Sequence, residues 1–130
     1  MTLLPLTALT TLLICLLMFA TGIQVGRARG RYGIHAPAVT GHEMFERAYR
    51  IQMNTLENTV LMLPALWRFA GFISDRGAAA LGVVWLVARI WYAMAYQSNP
   101  AKRGPAFGLS ILAFAALAAG GGWGVVRTLI

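Results

Sequence analysis

Only four of the 130 residues are acidic, and charged residues of both signs make up 12% of the chain. Hydrophobic residues make up 58%, well above the roughly 45–50% of ordinary soluble domains, so too little charge remains to clothe a water-soluble surface. Cysteine occurs once, at Cys15, which excludes a scaffold of intrachain disulfides. Residues 1–26 contain no charge of either sign. A mean hydropathy of +0.65 completes the pattern of an integral membrane protein. At about 20 apolar residues per helical span, four spans use ~80 positions and leave about 50 for loops and helix ends, so residues 1–130 are expected to form a single four-span domain. The net charge of +7 does not call for a nucleic-acid partner, because the basic residues cluster beside apolar runs, where membrane topology is a sufficient reason for them.

The apolar runs place the spans at about residues 3–25, 46–72, 77–97 and 105–126. Nothing basic precedes the first run, which differs from a cleaved leader, and it is expected to remain as a helix. Pro64 falls inside the second span and marks a kink site that a packed bundle tolerates. Ser74 and Asp75 both suit the cap of the third. Residues 27–45, with Gly30, Gly33, Pro37 and Gly41, and residues 98–104, with an Asn-Pro pair, read as loops. These two loops and the polar start of span two carry Arg27, Arg29, Arg31, Arg47, Arg50, Lys102 and Arg103, against Arg68, Arg76 and Arg127 on the other side. The positive-inside bias therefore puts loops 27–45 and 98–104 in the cytoplasm and both termini opposite, in a bacterial inner membrane or an endoplasmic-reticulum membrane. Short connections favour an antiparallel all-α four-helix bundle. Gly-x-x-x-Gly spacings at Gly22/Gly26, Gly104/Gly108 and Gly120/Gly124 permit close helix contact near the span ends.

Two polar faces stand out inside these spans. Arg50, Asn54 and Glu57 follow one another at i, i+4 and i+7, and Arg89, Tyr92 and Tyr96 at i, i+3 and i+7, so each set shares one side of its helix. A charge at the bilayer centre costs at least ~2.5–3.5 kcal/mol, which turns such residues toward the bundle interior, a watery cavity or each other. Glu57 and Arg89 lie about 16 Å and about 12 Å of helix from the same membrane face, so an ion pair between them is expected to be within reach. One reading makes that pair purely structural, a device holding two spans in register. The other adds Gln52, Asn54 and the two tyrosines, with Arg29, Arg31 and Arg103 at the same end, and obtains a cationic pocket with one carboxylate. Its complement is a small zwitterion with excess carboxylates, gripped by arginines, with an ammonium facing Glu57.

The stretch from Phe45 through Arg50, Asn54 and Glu57, followed by Arg89, Tyr92, Tyr96 and then Arg103, resembles the MAPEG family, the membrane-associated proteins in eicosanoid and glutathione metabolism. The resemblance covers about two thirds of the chain, from Arg27 to Arg103. It implies a homotrimer of four-helix protomers that binds glutathione between neighbours, with a lipophilic electrophile entering from the bilayer between span one of one subunit and span four of another. Carried over by position, Arg50, Asn54, Glu57, Arg89, Tyr92 and Tyr96 would hold glutathione from one protomer, Arg29 and Gln52 from its neighbour, and Arg103 would be the catalytic residue at the thiol. The implied activity is a glutathione transferase, with glutathione peroxidase activity as a companion, and no metal. Two positions depart from the leukotriene C branch: Gly30 stands where a basic residue follows Arg29, and Asn58 stands where tyrosine is frequent. Both turn the expectation toward the detoxifying transferases.

Two other classes compete. A noncatalytic scaffold would keep the same pocket for a lipid or partner protein. A small proton-coupled multidrug transporter would also fit four spans and one membrane carboxylate, but the arginines near Glu57 give that acid fixed countercharges. Cys15 is expected to be a packing residue, and His35 and His42, seven positions apart without cysteine partners, match no usual metal spacing. Trp67, Trp91 and Trp123 suit membrane interfaces, Trp85 the core or lipid. Arg27, Arg29 and Arg31 also suit lipid headgroups.

Overall fold

The computed structural model describes residues 2–130, which form four long helices, α1 (Pro5–Tyr32), α2 (Glu43–Phe72), α3 (Asp75–Ser98) and α4 (Gly104–Leu129), with a 3-10 turn, Pro100–Lys102, before α4. Each start has a local cause. Pro5 occupies the first turn of α1, where its missing N–H is no loss. The cap there comes from a distant residue: the Asp75 carboxylate accepts from Leu6 N, Thr7 N and Thr7 Oγ1 at 3.1, 2.9 and 2.6 Å. Gly33, at φ 67°, ends α1 in the left-handed conformation while Ile34 N donates back to Arg29 O. His42 caps α2, its Nδ1 accepting from Met44 N at 3.1 Å, and Glu43 and Glu46 complement the helix dipole in the first turn. Ser74 caps α3 by accepting from Gly77 N. Asp75 is thus committed to α1, and Ser74 alone serves α3. Pro64 lies within an α2 that runs on without interruption to Phe72.

The helices alternate in direction. Trp67 Nε1 in late α2 donates to Thr11 Oγ1 in early α1, and Arg47 in early α2 donates to the carbonyls of Gln97 and Ser98 at the end of α3. The helices α2 and α3 form the central pair, with α1 packed on one side and α4 on the other. Three helical segments, Pro5–Tyr32, Asp75–Ser98 and Pro100–Leu129, are long and apolar enough to cross a membrane. The more polar α2 runs antiparallel beside them and completes a membrane four-helix bundle.

The main core lies toward the end of the bundle that holds both termini. There Ile14, Met62, Leu66, Trp85 and Leu117 are each at most 1% exposed, which places Trp85 in the core. Glycines let the helices close up at that end. A Cβ on Gly82 would come within 2.6 Å of Thr10, and one on Gly124 within 2.6 Å of Phe72, so any larger residue must push two helices apart. Of the three Gly-x-x-x-Gly spacings, only Gly120/Gly124 has both members pressed against a neighbouring helix; Gly26, Gly104 and Gly108 meet nothing within 4 Å. Cys15 is exposed on the outer side of α1 rather than packed.

Candidate functional site

At the opposite end, near the loops, α2, α3, α4 and the 3-10 turn surround a recess of about 570 Å³ lined by Arg50, Asn54, Tyr92, Tyr96, Ala101, Arg103, Gly104 and Phe107. Helix α2 supplies Arg50 and Asn54 from successive turns, and α3 supplies Tyr92 and Tyr96 in the same way. Arg103 arrives differently. Asn99 ends α3 and caps the 3-10 turn by accepting from Ala101 N at 3.1 Å. That turn swings Arg103 back over the Tyr96 ring, its guanidinium carbon 5.7 Å from the centroid. Its Nη1 donates to Pro100 O at 2.7 Å. Tyr92 packs between Tyr96 and Phe107, with centroids 5.7 and 6.2 Å away, so one wall of the recess is aromatic.

Arg89 lies beneath this recess and is fully buried. Its Nη2 donates to Asn54 Oδ1 at 2.7 Å and to Thr55 Oγ1 at 2.8 Å, and its guanidinium carbon sits 4.1 Å from the centroid of Tyr92. The Glu57–Arg89 ion pair of the purely structural reading is absent. Among the described residues the one ion pair joins Arg47 to Glu43. The reason is angular: Arg89 approaches the side of α2 that holds Asn54 and Thr55, and Glu57 is about 200° around the helix from Thr55, on an exposed surface. Two guanidinium nitrogens of Arg89, Nε and Nη1, have no protein partner. A buried cation held only by neutral oxygens and aromatic faces leaves this region without the carboxylate countercharge that the spacing suggested.

The remaining candidates stand apart from the recess. The loop expected over 27–45 is shorter, because α1 stays helical to Tyr32 and α2 begins at Glu43; Arg29, in the last turn of α1, reaches past its end, donating to Ala38 O at 2.7 Å and Ile34 O at 3.4 Å while covering the Phe45 ring at 4.8 Å. Gln52 lies against Gly22 of α1. On α2, Gln52 and Arg50 are two residues and so about 200° apart, and one protomer cannot present both to one ligand. No group of three or more His, Cys, Asp or Glu comes together as a metal site among the described residues. His42 instead serves as a helix cap and stacks on Tyr32, with ring centroids 3.8 Å apart.

Two contributors were not singled out from sequence. Thr55, the second acceptor for Arg89, directly follows Asn54, and its hydroxyl in a polar helix turn was the available signal. Arg47 counted only as a topology charge, yet it binds the last carbonyls of α3, a common use of a cation at a helix C-terminus.

The sequence matches the MAPEG family over residues 7–123. It is 33% identical over 108 residues to microsomal glutathione S-transferase 2 of Homo sapiens, covering 83% of this chain and 74% of that one. Leukotriene C4 synthase of Bos taurus is 41% identical over 97 residues, covering 74% of this chain and 64% of that one. An uncharacterized protein of Synechocystis sp. is 46% identical over 113 residues, with 87% and 82% of the two chains covered.

Proposed function

Because the chain belongs to the MAPEG family, we propose that it is a membrane glutathione transferase acting on lipophilic electrophiles, with glutathione as co-substrate and Arg103 as the catalytic residue. The observation that carries the reading is the convergence of Arg103, Arg50, Asn54, Tyr92 and Tyr96 on one recess at the loop end of the bundle. Its volume lies in the usual range for small-molecule sites. Arg50 and Asn54 offer donors to the carboxylates of the tripeptide, Tyr92 and Tyr96 line the path to the sulfur, and Arg103 stands where the thiol ends. An ordinary thiol, with pKa about 8.5, is mostly protonated at neutral pH. A guanidinium beside the sulfur favours the thiolate, and the proton leaves to water. The thiolate then forms a bond to the electrophilic carbon as the leaving group departs with its electron pair. With an alkyl hydroperoxide the same thiolate opens the O–O bond, and a second glutathione completes the disulfide, giving alcohol and water.

The assembly belongs to the same proposal. Arg29 and Gln52 face away from their own recess, while Leu56 and Val60 expose apolar surface on α2, the helix least apolar for a lipid environment. A homotrimer with α2 inward would join Arg29 and Gln52 of one subunit to Arg50, Glu57 and Arg89 of the next. It would also bring Glu57 to the ammonium of a ligand held between them. The charge bias supports residues 27–45 and 98–104 on the cytoplasmic side and termini opposite, in either a bacterial inner membrane or an endoplasmic-reticulum membrane.

Turnover of a nitro-substituted aryl halide with glutathione by the detergent-purified protein tests the activity, with product followed by absorbance. Glutathione-dependent product that falls in Arg103→Ala supports the transferase. Bound glutathione without turnover of any aryl halide, epoxide or hydroperoxide would favour a noncatalytic binding protein.

A further inference from the structure

A second concave surface lies across α2 and α3 from the glutathione recess and shares no residue with it. It is a groove of about 630 Å³ between α1 and α3, floored by α2 residues Met44, Ala48 and Ile51. Its walls are apolar in mid-bundle, at Leu17 and Ala20 on α1 and at Ile90 and Met94 on α3, and become amide-bearing toward the loops, at Gln24 and Gln97. There the groove runs into a smaller hollow of about 330 Å³ that shares Gln24, Met44, Ala48 and Gln97 with it and adds Arg27 and Arg31. Arg27 and Arg31 are one turn apart on the same side of α1 that carries Ala20 and Gln24. Along one helix face the chemistry therefore passes from hydrocarbon to amide to paired cations as the helix leaves the bilayer.

Nothing acidic lines either part of this surface. The carboxylate of Glu43, adjacent in sequence to Met44, is exposed and paired to Arg47, and Arg29 is turned away into loop carbonyls. Nor can the groove feed the proposed reaction: it is bounded by Ile90 and Met94, while the recess takes Tyr92 and Tyr96 from the other side of α3. The groove takes Met44, Ala48 and Ile51 from α2, a different side of that helix from Leu56 and Val60, where the contact between copies is proposed.

From this continuity of apolar groove, amides and two unpaired arginines, we propose that the α1/α3 groove binds an anionic glycerophospholipid. One acyl chain lies along Leu17, Ala20, Ile90 and Met94, the ester region is beside Gln24 and Gln97, and the phosphate is held by Arg27 and Arg31. Basic hollows between membrane helices at the cytoplasmic side suit such headgroups. The bound lipid would close the open end of the α1/α3 packing, where the helices lack the glycine contacts of the other end.

The test uses the full-length protein reconstituted with equimolar phosphatidylglycerol and phosphatidylcholine of matched chains, then released into detergent for native mass spectrometry. Phosphatidylglycerol should be retained over phosphatidylcholine by roughly 30-fold, from two cations at the headgroup. Arg27→Gln should reduce that preference, and Ala20→Phe, which fills the groove, should lower retention of both lipids. In both variants the glutathione thiolate signal and the oligomer mass should be unchanged, which separates this site from the catalytic reading. Equal retention of the two lipids by the unaltered protein would overturn the proposal without reference to any variant. So would removal of the preference by millimolar inorganic phosphate, which would mark a phosphate site without a lipid chain. A changed oligomer mass in Ala20→Phe would assign the groove to a second copy of the chain instead.

Discussion

The two ends of the bundle are built on opposite principles. At the end holding the termini, Gly82, Gly120, Gly121 and Gly124 bring helices into direct contact, and Leu66, Trp85 and Leu117 fill the space between them. At the loop end Gly26, Gly30, Gly104 and Gly108 have open space around them, the described recess and groove both open, and seven of the basic residues gather. Stability is concentrated where the sequence is small and apolar, and chemistry where it is large and cationic. A membrane bundle gains little from burying apolar side chains that lipid would cover equally well, so close packing of small residues takes the larger share. That contact lets the other end keep an unpaired guanidinium and an open recess without losing the fold.

The sharpest break between the ends is Arg103→Ala. If the loop end carries chemistry alone, the conjugation rate should fall by about 100-fold, as for loss of one preorganised charge-stabilising donor. The thermal midpoint in detergent should not move. The reverse experiment is Gly124→Leu. Overpacking against Phe72 should destabilise by about 1–3 kcal/mol, read as a lowered midpoint, while glutathione affinity of the folded fraction stays constant. Gly108→Ala applies a similar change to a glycine with free space around it. It should be neutral or stabilising by about 0.5–1 kcal/mol, the helix-propensity gain alone. Asp75→Asn keeps an acceptor for Thr7 but loses the one for Leu6 N and the charge at the start of α1. It should lower the midpoint slightly and leave turnover unaltered.

These contrasts were unequally visible in the sequence. The four helices followed from apolar run length, and the polar faces of α2 and α3 followed from spacing, because helical periodicity depends only on local order. Arg50 and Asn54 meet Tyr92 and Tyr96 across the recess as that periodicity implied. Which of two residues on one face meets a given partner was not legible. A side chain 60° from Asn54 shares its face on a helical wheel, yet Arg89 takes Thr55 as its second partner and leaves Glu57 outside. Contacts set by tertiary docking were equally hidden: Asp75 caps a helix that begins 70 residues earlier, and Arg47 binds carbonyls 50 residues later. The same holds for Arg29, whose carbonyl partners depend on how the chain turns after Gly33.

The central claim is that Arg103 stabilises a glutathione thiolate at the loop end. Ultraviolet difference titration of the purified protein with glutathione near neutral pH reads that thiolate directly, without any choice of electrophile. The account predicts a saturable thiolate signal in the unaltered protein that disappears in Arg103→Ala while glutathione still binds, and that weakens through lost affinity in Glu57→Gln. A thiolate signal of undiminished size in Arg103→Ala would contradict it.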